Sequence, residues 1–258
     1  MIGPKPVVAM RMEGTIGVGV RPADWIPLIQ RVRRSRWAQA VVVDIESRGG
    51  SAADGDHIYT ELRKLAAEKP VVAFTGGICA SGGYLIACAA RELIVQPAAV
   101  VGSIGVITVR PLAEELLARA GLGFNVTKSG KLKDMGAFWR RPTDEEQRKD
   151  EAMVQEYFSL FLERIQEGRG TDPGKLRKLA TGEVFSGRQS VELGLADRVG
   201  GFEDAVNRAA ALAGVAPRWG WIGPRRGLRS VLLGRAARAA ALEAVDQALQ
   251  LGGREPRF

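Results

Sequence analysis

At 258 residues, 46% hydrophobic and 26% charged, the chain has the proportions of a soluble globular protein with a proper core, as one large domain or two small ones. It contains no run of about 18 apolar residues, which argues against a spanning helix, and Met1 to Arg11 is too short and interrupted for a secretory segment, so a cytoplasmic location is expected. The net charge of +8 is spread over several segments, with clusters at Arg31 to Arg36 and Arg225 to Arg238, and accompanies no zinc spacing or nucleic-acid module.

Val7 to Glu13 alternates loosely and reads as a strand ended by Gly14. Trp25 to Trp37 has apolar residues at helical spacing with arginines between them. Ala40 to Ile45 is a β-branched run suited to a strand buried on both faces, and it stops at Ser47-Arg48-Gly49-Gly50-Ser51. A helix over Ala53 to Ala67 and a strand over Pro70 to Phe74 come next. After a glycine-flanked turn, Tyr84 to Ala90 is rich in helix formers. Glu92 to Val95 predicts a strand, and Val100 to Ile107 is apolar and glycine-rich. Pro111 to Ala120 predicts a helix and Phe124 to Thr127 a strand. Thr143 and Glu146 make a capping box for a long charged helix reaching Glu167. Shorter helices are expected at Pro173 to Thr181, Arg188 to Leu193 and Phe202 to Ala213.

The alternation of strands and helices with short connections predicts an α/β fold, a mostly parallel sheet covered by helices. Gly214 to Gly227, rich in Gly, Pro, Trp and Arg, reads as a linker, and Leu228 to Leu251 as a basic amphipathic helix. The expected organisation is a catalytic domain over 1–213, a linker over 214–227 and a helical C-terminal extension over 228–258. That extension is the segment suited to peripheral contact with a membrane surface. A nucleic-acid partner is not expected.

The most informative segment is Ile78-Cys79-Ala80-Ser81-Gly82-Gly83-Tyr84, which puts a serine between a strand and a helix. The first N–H groups of a helix lack acceptors, and the positive helix end favours an alkoxide. Cys79 and Cys88 flank the turn; two such residues make no disulfide framework and read as small buried side chains. The Arg48-Gly49-Gly50 turn should face the same crevice, since both turns sit at strand C-terminal ends. Gly50 and Gly82 are the candidate donors of an oxyanion hole. The single histidine, His57, has no partner motif and reads as a surface or helix-start residue. The base is then expected to be a lysine, and Lys128, Lys131 and Lys133 all lie in one loop.

Four segments taken in order resemble the signal peptide peptidase A family, serine–lysine peptidases of the caseinolytic protease and crotonase fold group. They are Asp44 to Ser51, Ala80 to Ala87, Val101 to Ile107 and Lys128 to Arg140, within a resemblance spanning about residues 5 to 213. The resemblance implies that Ser81 is the nucleophile, Lys133 the general base and Ser103 the residue that orients the lysine. The N–H groups of Gly50 and Gly82 would form the oxyanion hole. It also implies a ring-shaped homo-oligomer with shared active sites and peptide or unfolded-protein substrates; the serine–lysine mechanism needs no cofactor, and the sequence shows no His, Cys or carboxylate cluster at metal-binding spacing.

Asp134, beside the expected base, is expected to point away from it. Three departures stand out. Many relatives carry an N-terminal membrane anchor, of which this sequence shows no sign. Relatives commonly have proline where Arg48 stands, which places a cation at the cleft. Phe138 and Trp139 make the lysine loop more aromatic, suiting either a substrate groove or an interface. Two other readings of the sequence remain: a crotonase-type acyl-CoA hydratase or thioesterase, and a non-catalytic scaffold on a membrane surface.

Overall fold

The computed structural model describes residues 5–224; the expected helix over Leu228 to Leu251 lies outside the described residues. In chain order the first elements are β1 (Val7–Glu13), α1 (Pro22–Arg34), β2 (Ala40–Glu46), α2 (Ala52–Glu68) and β3 (Val71–Thr75). Next come β4 (Ile78–Ala80), α3 (Gly82–Ala87), β5 (Glu92–Val95), β6 (Val100–Gly102) and α4 (Glu114–Arg119). The rest are α5 (Asp144–Arg169), α6 (Pro173–Leu179), β7 (Val184–Ser186), α7 (Gly187–Glu192), β8 (Arg198–Val199), α8 (Phe202–Ala213) and β9 (Trp219–Ile222).

Six strands form a parallel sheet in the order β8-β5-β3-β2-β1-β9. Side chains alternate across a strand, and β2 shows what that does here. Val41, Val43 and Ile45 enter the larger core with α1, α2, α3 and α5. Ala40 and Val42 enter a smaller core on the opposite face, against Ala205, Val206, Ala209 and Ala210 of α8. Both faces are covered, which is why the run is apolar throughout. A second, three-stranded sheet in the order β4-β6-β7 stands at the C-terminal ends of these strands, tied to β2 by a bridge between Ser47 and Cys79.

The long helix α5 starts with the expected capping box: Thr143 Oγ1 accepts from the Glu146 N–H while the Glu146 carboxylate accepts from the Thr143 N–H. It joins the core only near its far end, through Phe161, Leu162 and Ile165. Its first turns instead carry an arm, Ile107 to Glu145, in which no residue is buried.

Two sequence expectations fail. Phe124 to Thr127 is not a strand; all four residues are exposed, and among the described residues no strand pairs with them to take up their backbone groups. The segment assigned to a linker contains β9, which pairs in parallel with Val7 to Met10 of β1. Gly214 only ends α8 in the left-handed conformation (φ 66°). Beyond it, Trp219 and Trp221 pack on the Phe202 ring with centroids 4.9 and 5.0 Å away. The folded unit therefore runs through Ile222. Polar and glycine-rich composition masked an edge strand anchored by two tryptophans.

Candidate active site

The serine turn is built by strain and close packing. Ser81 sits between β4 and α3 with φ 52° and ψ −124°, a region that an ordinary side chain avoids. Its N–H donates to the Gly102 carbonyl (2.8 Å), and its carbonyl accepts from the Leu85 N–H (3.0 Å). These bonds hold the turn, and burial of every residue of α3 holds the helix that it opens. Tyr84 anchors that helix through its hydroxyl, which donates to the Leu195 carbonyl at 2.8 Å.

The Gly49-Gly50 turn lies directly against it. A Cβ on Gly49 (φ 97°) would stand 2.7 Å from the Ser81 Cβ and 3.0 Å from both Ser81 Oγ and the Gly82 nitrogen. A Cβ on Gly50 (φ 146°) would lie 2.3 Å from the Ile16 carbonyl oxygen. Only glycine meets both demands, for left-handed backbone and for close approach. The Gly82 N–H opens α3, where helix geometry supplies no acceptor. Among the described residues the Gly50 N–H also has no acceptor. The two backbone groups therefore flank Ser81 as unused donors.

Ser47 joins the two turns, a part that nothing in the sequence signals beyond its place at the end of a strand. It is buried; its hydroxyl donates to the Gly14 carbonyl (2.7 Å) and accepts from the Gly49 N–H (3.1 Å). Its backbone accepts from the Ala80 N–H and donates to the Ile78 carbonyl. Glu46 adds a bond in which its carboxylate accepts from the Ile78 N–H.

A cavity of about 930 Å³ opens over Ser81. Gly50, Gly82, Ser103 and Arg48 line it together with Ser81, so five of the residues singled out in the sequence meet there. Ser103 is the second non-glycine residue with positive φ (50°), held by donation of its N–H to the Glu183 carbonyl (2.7 Å). The remaining wall is largely apolar, with Leu85, Val106, Ile107, Leu160 and Phe161. His57 is exposed on α2 and does not line the cavity. Cys79 and Cys88 are buried and unpaired, as expected, and burial pushes the Cys88 thiol up to about 12.

Lys133, Phe138 and Trp139 are elsewhere. None of them lines the cavity of its own chain. Phe138 and Trp139 form a cluster with Phe124, the ring centroids 4.9 to 5.8 Å apart. Lys133 is exposed, and among the described residues it pairs with no carboxylate. The other two lysines of the loop are engaged. Lys128 donates to Asp134 (2.5 Å), and Lys131 pairs with Glu145, which raises the Lys131 pKa, the wrong direction for a base. Asp134 turns to Arg140 and Lys128, which hold its carboxyl well below the usual range, so its charge is taken up by neighbours other than Lys133.

Comparison with known proteins shows the family. The family model described as peptidase family S49 matches residues 63–216. A protein named as a candidate protease in Synechocystis is 37% identical over 213 residues, covering 83% of this chain and 76% of that one. The chloroplastic serine protease SPPA of Arabidopsis thaliana is 32% identical over 202 residues, covering 78% of this chain and 30% of that protein. Among solved structures, a serine-to-alanine mutant of the 1510-N membrane-bound stomatin-specific protease shares the fold. Its TM-score is 0.54 at 13% identity, covering 87% of this chain and 100% of that one. On the extent of these matches, the chain belongs to peptidase family S49.

Proposed function

We propose that the protein is a serine endopeptidase that cleaves unfolded or apolar peptides through an acyl-enzyme on Ser81. Lys133, in its neutral form, accepts the proton from the Ser81 hydroxyl as the oxygen attacks the scissile carbonyl. The N–H groups of Gly50 and Gly82 donate hydrogen bonds to the developing oxyanion, and Ser103 orients the lysine amine. Collapse expels the amine with the proton, and water then releases the acyl group by the same route. Supporting this reading above all is the strained placement of Ser81 beside two unused backbone donors, at the floor of a largely apolar cavity.

The base comes from a neighbouring copy of the chain in this proposal. Lys133 rides on an arm that buries nothing and exposes Ile107 (84%), Val109 (81%), Leu116 and Leu122, a surface suited to a second copy. Docking there would strip water from the amine. A lysine pKa must drop from about 10.4 to about 7–8 to serve as base, roughly 4 kcal/mol, and desolvation provides shifts of that size.

The test is degradation of a fluorescent unfolded protein by wild type, Ser81→Ala and Lys133→Ala. Both variants should be inactive alone, and mixing them should restore part of the activity through subunit exchange. Activity retained in Lys133→Ala overturns the base, and no rescue despite proven mixing overturns the sharing of sites.

A further inference from the structure

Three charged residues line the Ser81 cavity: Arg48, Asp56 and Arg164. Two of them satisfy each other, since the Arg164 guanidinium donates to Asp56 at 2.8 Å and is also paired with Glu167 at 3.2 Å. Arg48 has no such partner among the described residues, and its side chain is exposed. It stands next to Gly49, whose backbone abuts Ser81, and two positions before Gly50. Among the described residues the cavity is thus a largely apolar trench with one uncompensated cation at the edge of the reacting centre.

We infer that Arg48 is a specificity-determining residue that recognises a carboxylate on the substrate, close to the bond that is cut, beside the apolar residues that fill the trench. The inference deepens the peptidase reading and rests on it for the location of the scissile bond. A peptide lying in the trench excludes water from the guanidinium, and a desolvated cation without an anion is costly. A carboxylate removes that cost and can pair with the planar guanidinium through two parallel hydrogen bonds. An arginine side chain reaches about 6–7 Å and an extended peptide rises about 3.3 Å per residue, so the acidic group lies within about three residues of the cut. The carboxylate can belong to an internal Glu or Asp or to the chain terminus of a short peptide.

Matched fluorogenic peptides separate these cases. One set carries Glu or Gln at each position within three residues of the cut, and a second ends in a free acid or an amide near it. Wild type should cleave one Glu peptide, or the free acid, with about tenfold higher kcat/KM than its neutral match, and the set that responds names the source. In Arg48→Gln that ratio should fall to about one, and in Arg48→Glu a Lys peptide should become the better substrate. The same peptide pairs are then bound to Ser81→Ala protein and followed by fluorescence anisotropy. A Glu preference in binding, lost with Arg48→Gln, supports the inference even if the Ser81–Lys133 chemistry fails. Equal treatment of charged and neutral peptides, by wild type in cleavage and by Ser81→Ala protein in binding, overturns it. So does a preference that survives Arg48→Gln, with circular dichroism melts showing the variant folded.

Discussion

The serine turn and the lysine arm are held in place by different physics. Ser81 is held by the fully buried helix α3, by backbone hydrogen bonds and by glycines whose added Cβ would clash with their neighbours. From Ile107 to Glu145 nothing is buried, and the segment is fastened to the first turns of α5 by side-chain ion pairs. Arg110 pairs with Asp150, Lys131 with Glu145, and Arg140 with both Asp134 and Glu146. One half of the candidate site is therefore finished within the chain, and the other is presented outward. Close packing tolerates no added atom, whereas an exposed ion pair such as Lys131–Glu145 is individually weak, and the Arg140–Glu146 pair, with its carboxylate buried, is the firmest of these fastenings. Substitutions in the two regions should accordingly fail in different ways.

The largest effect is expected at Gly49→Ala. The new Cβ would meet the Ser81 Cβ at 2.7 Å in a backbone with φ 97°, so both sterics and conformation resist it. We expect a loss of about 2–4 kcal/mol in unfolding free energy and activity at background. A variant with wild-type melting and activity would show that the two turns can separate.

Arg140→Met should act in the opposite manner. The Arg140 guanidinium spans Asp134 and the carboxylate of Glu146, joining the turn that bears Lys133 to the N-terminus of α5. Its removal frees the arm without opening the core. We expect kcat to fall roughly 10- to 100-fold, an effect of misplacement, while the thermal midpoint of the folded unit falls by about 2–5 °C, because the buried Glu146 carboxylate loses its charged partner. Partial recovery in Arg140→Lys, or with added guanidinium ion, would mark a positioning role. A large drop in stability would instead make Arg140 part of the fold.

Acid should release the same arm. Arg140 and the Thr143 N–H together lower the Glu146 pKa from 4.5 to about 2. A carboxyl whose folded pKa lies below its unfolded value contributes stability that is complete above pH 4.5 and is lost as pH falls towards 2. Cleavage of residues 107–145 by an acid-active protease should therefore rise between those limits, ahead of cleavage in the sheet. Simultaneous exposure of both regions would mean that the arm and the core unfold as one.

The same contrast explains what the sequence disclosed. Strands such as Ala40 to Ile45 were legible because burial on both faces demands an unbroken apolar run. The serine turn was legible because the glycines that permit close approach stand beside the serine. Ser47 was not, because a buried serine bonded to Gly14 across a gap of 33 residues has no local signature. The strand expected at Phe124 to Thr127 came from side-chain preference alone, which without a pairing neighbour does not make a strand. Trp219 to Ile222 was hidden for the reverse reason: β1 supplies the partner, and no propensity announces it. Lys133 could be picked from three lysines only by resemblance; the structure adds that Lys128 and Lys131 are ion-paired, with Asp134 and Glu145.

Lys131→Ala should have the smallest effect and sharpen that choice. Its side chain is 76% exposed and its carboxylate partner among the described residues, Glu145, is itself 38% exposed, so solvent screens the pair. Such a pair contributes about 0.2–1 kcal/mol, and two further ion-paired arginines, Arg110 and Arg140, still tie the arm to α5. Activity should stay within about twofold of wild type, against background activity for Lys133→Ala measured in the same preparation. A collapse of activity in Lys131→Ala, with the arm as resistant to proteolysis as before, would move the base from residue 133 to residue 131. The Glu145 ion pair would then have to break before each turnover, and Glu145→Gln should raise the rate instead of leaving it unchanged.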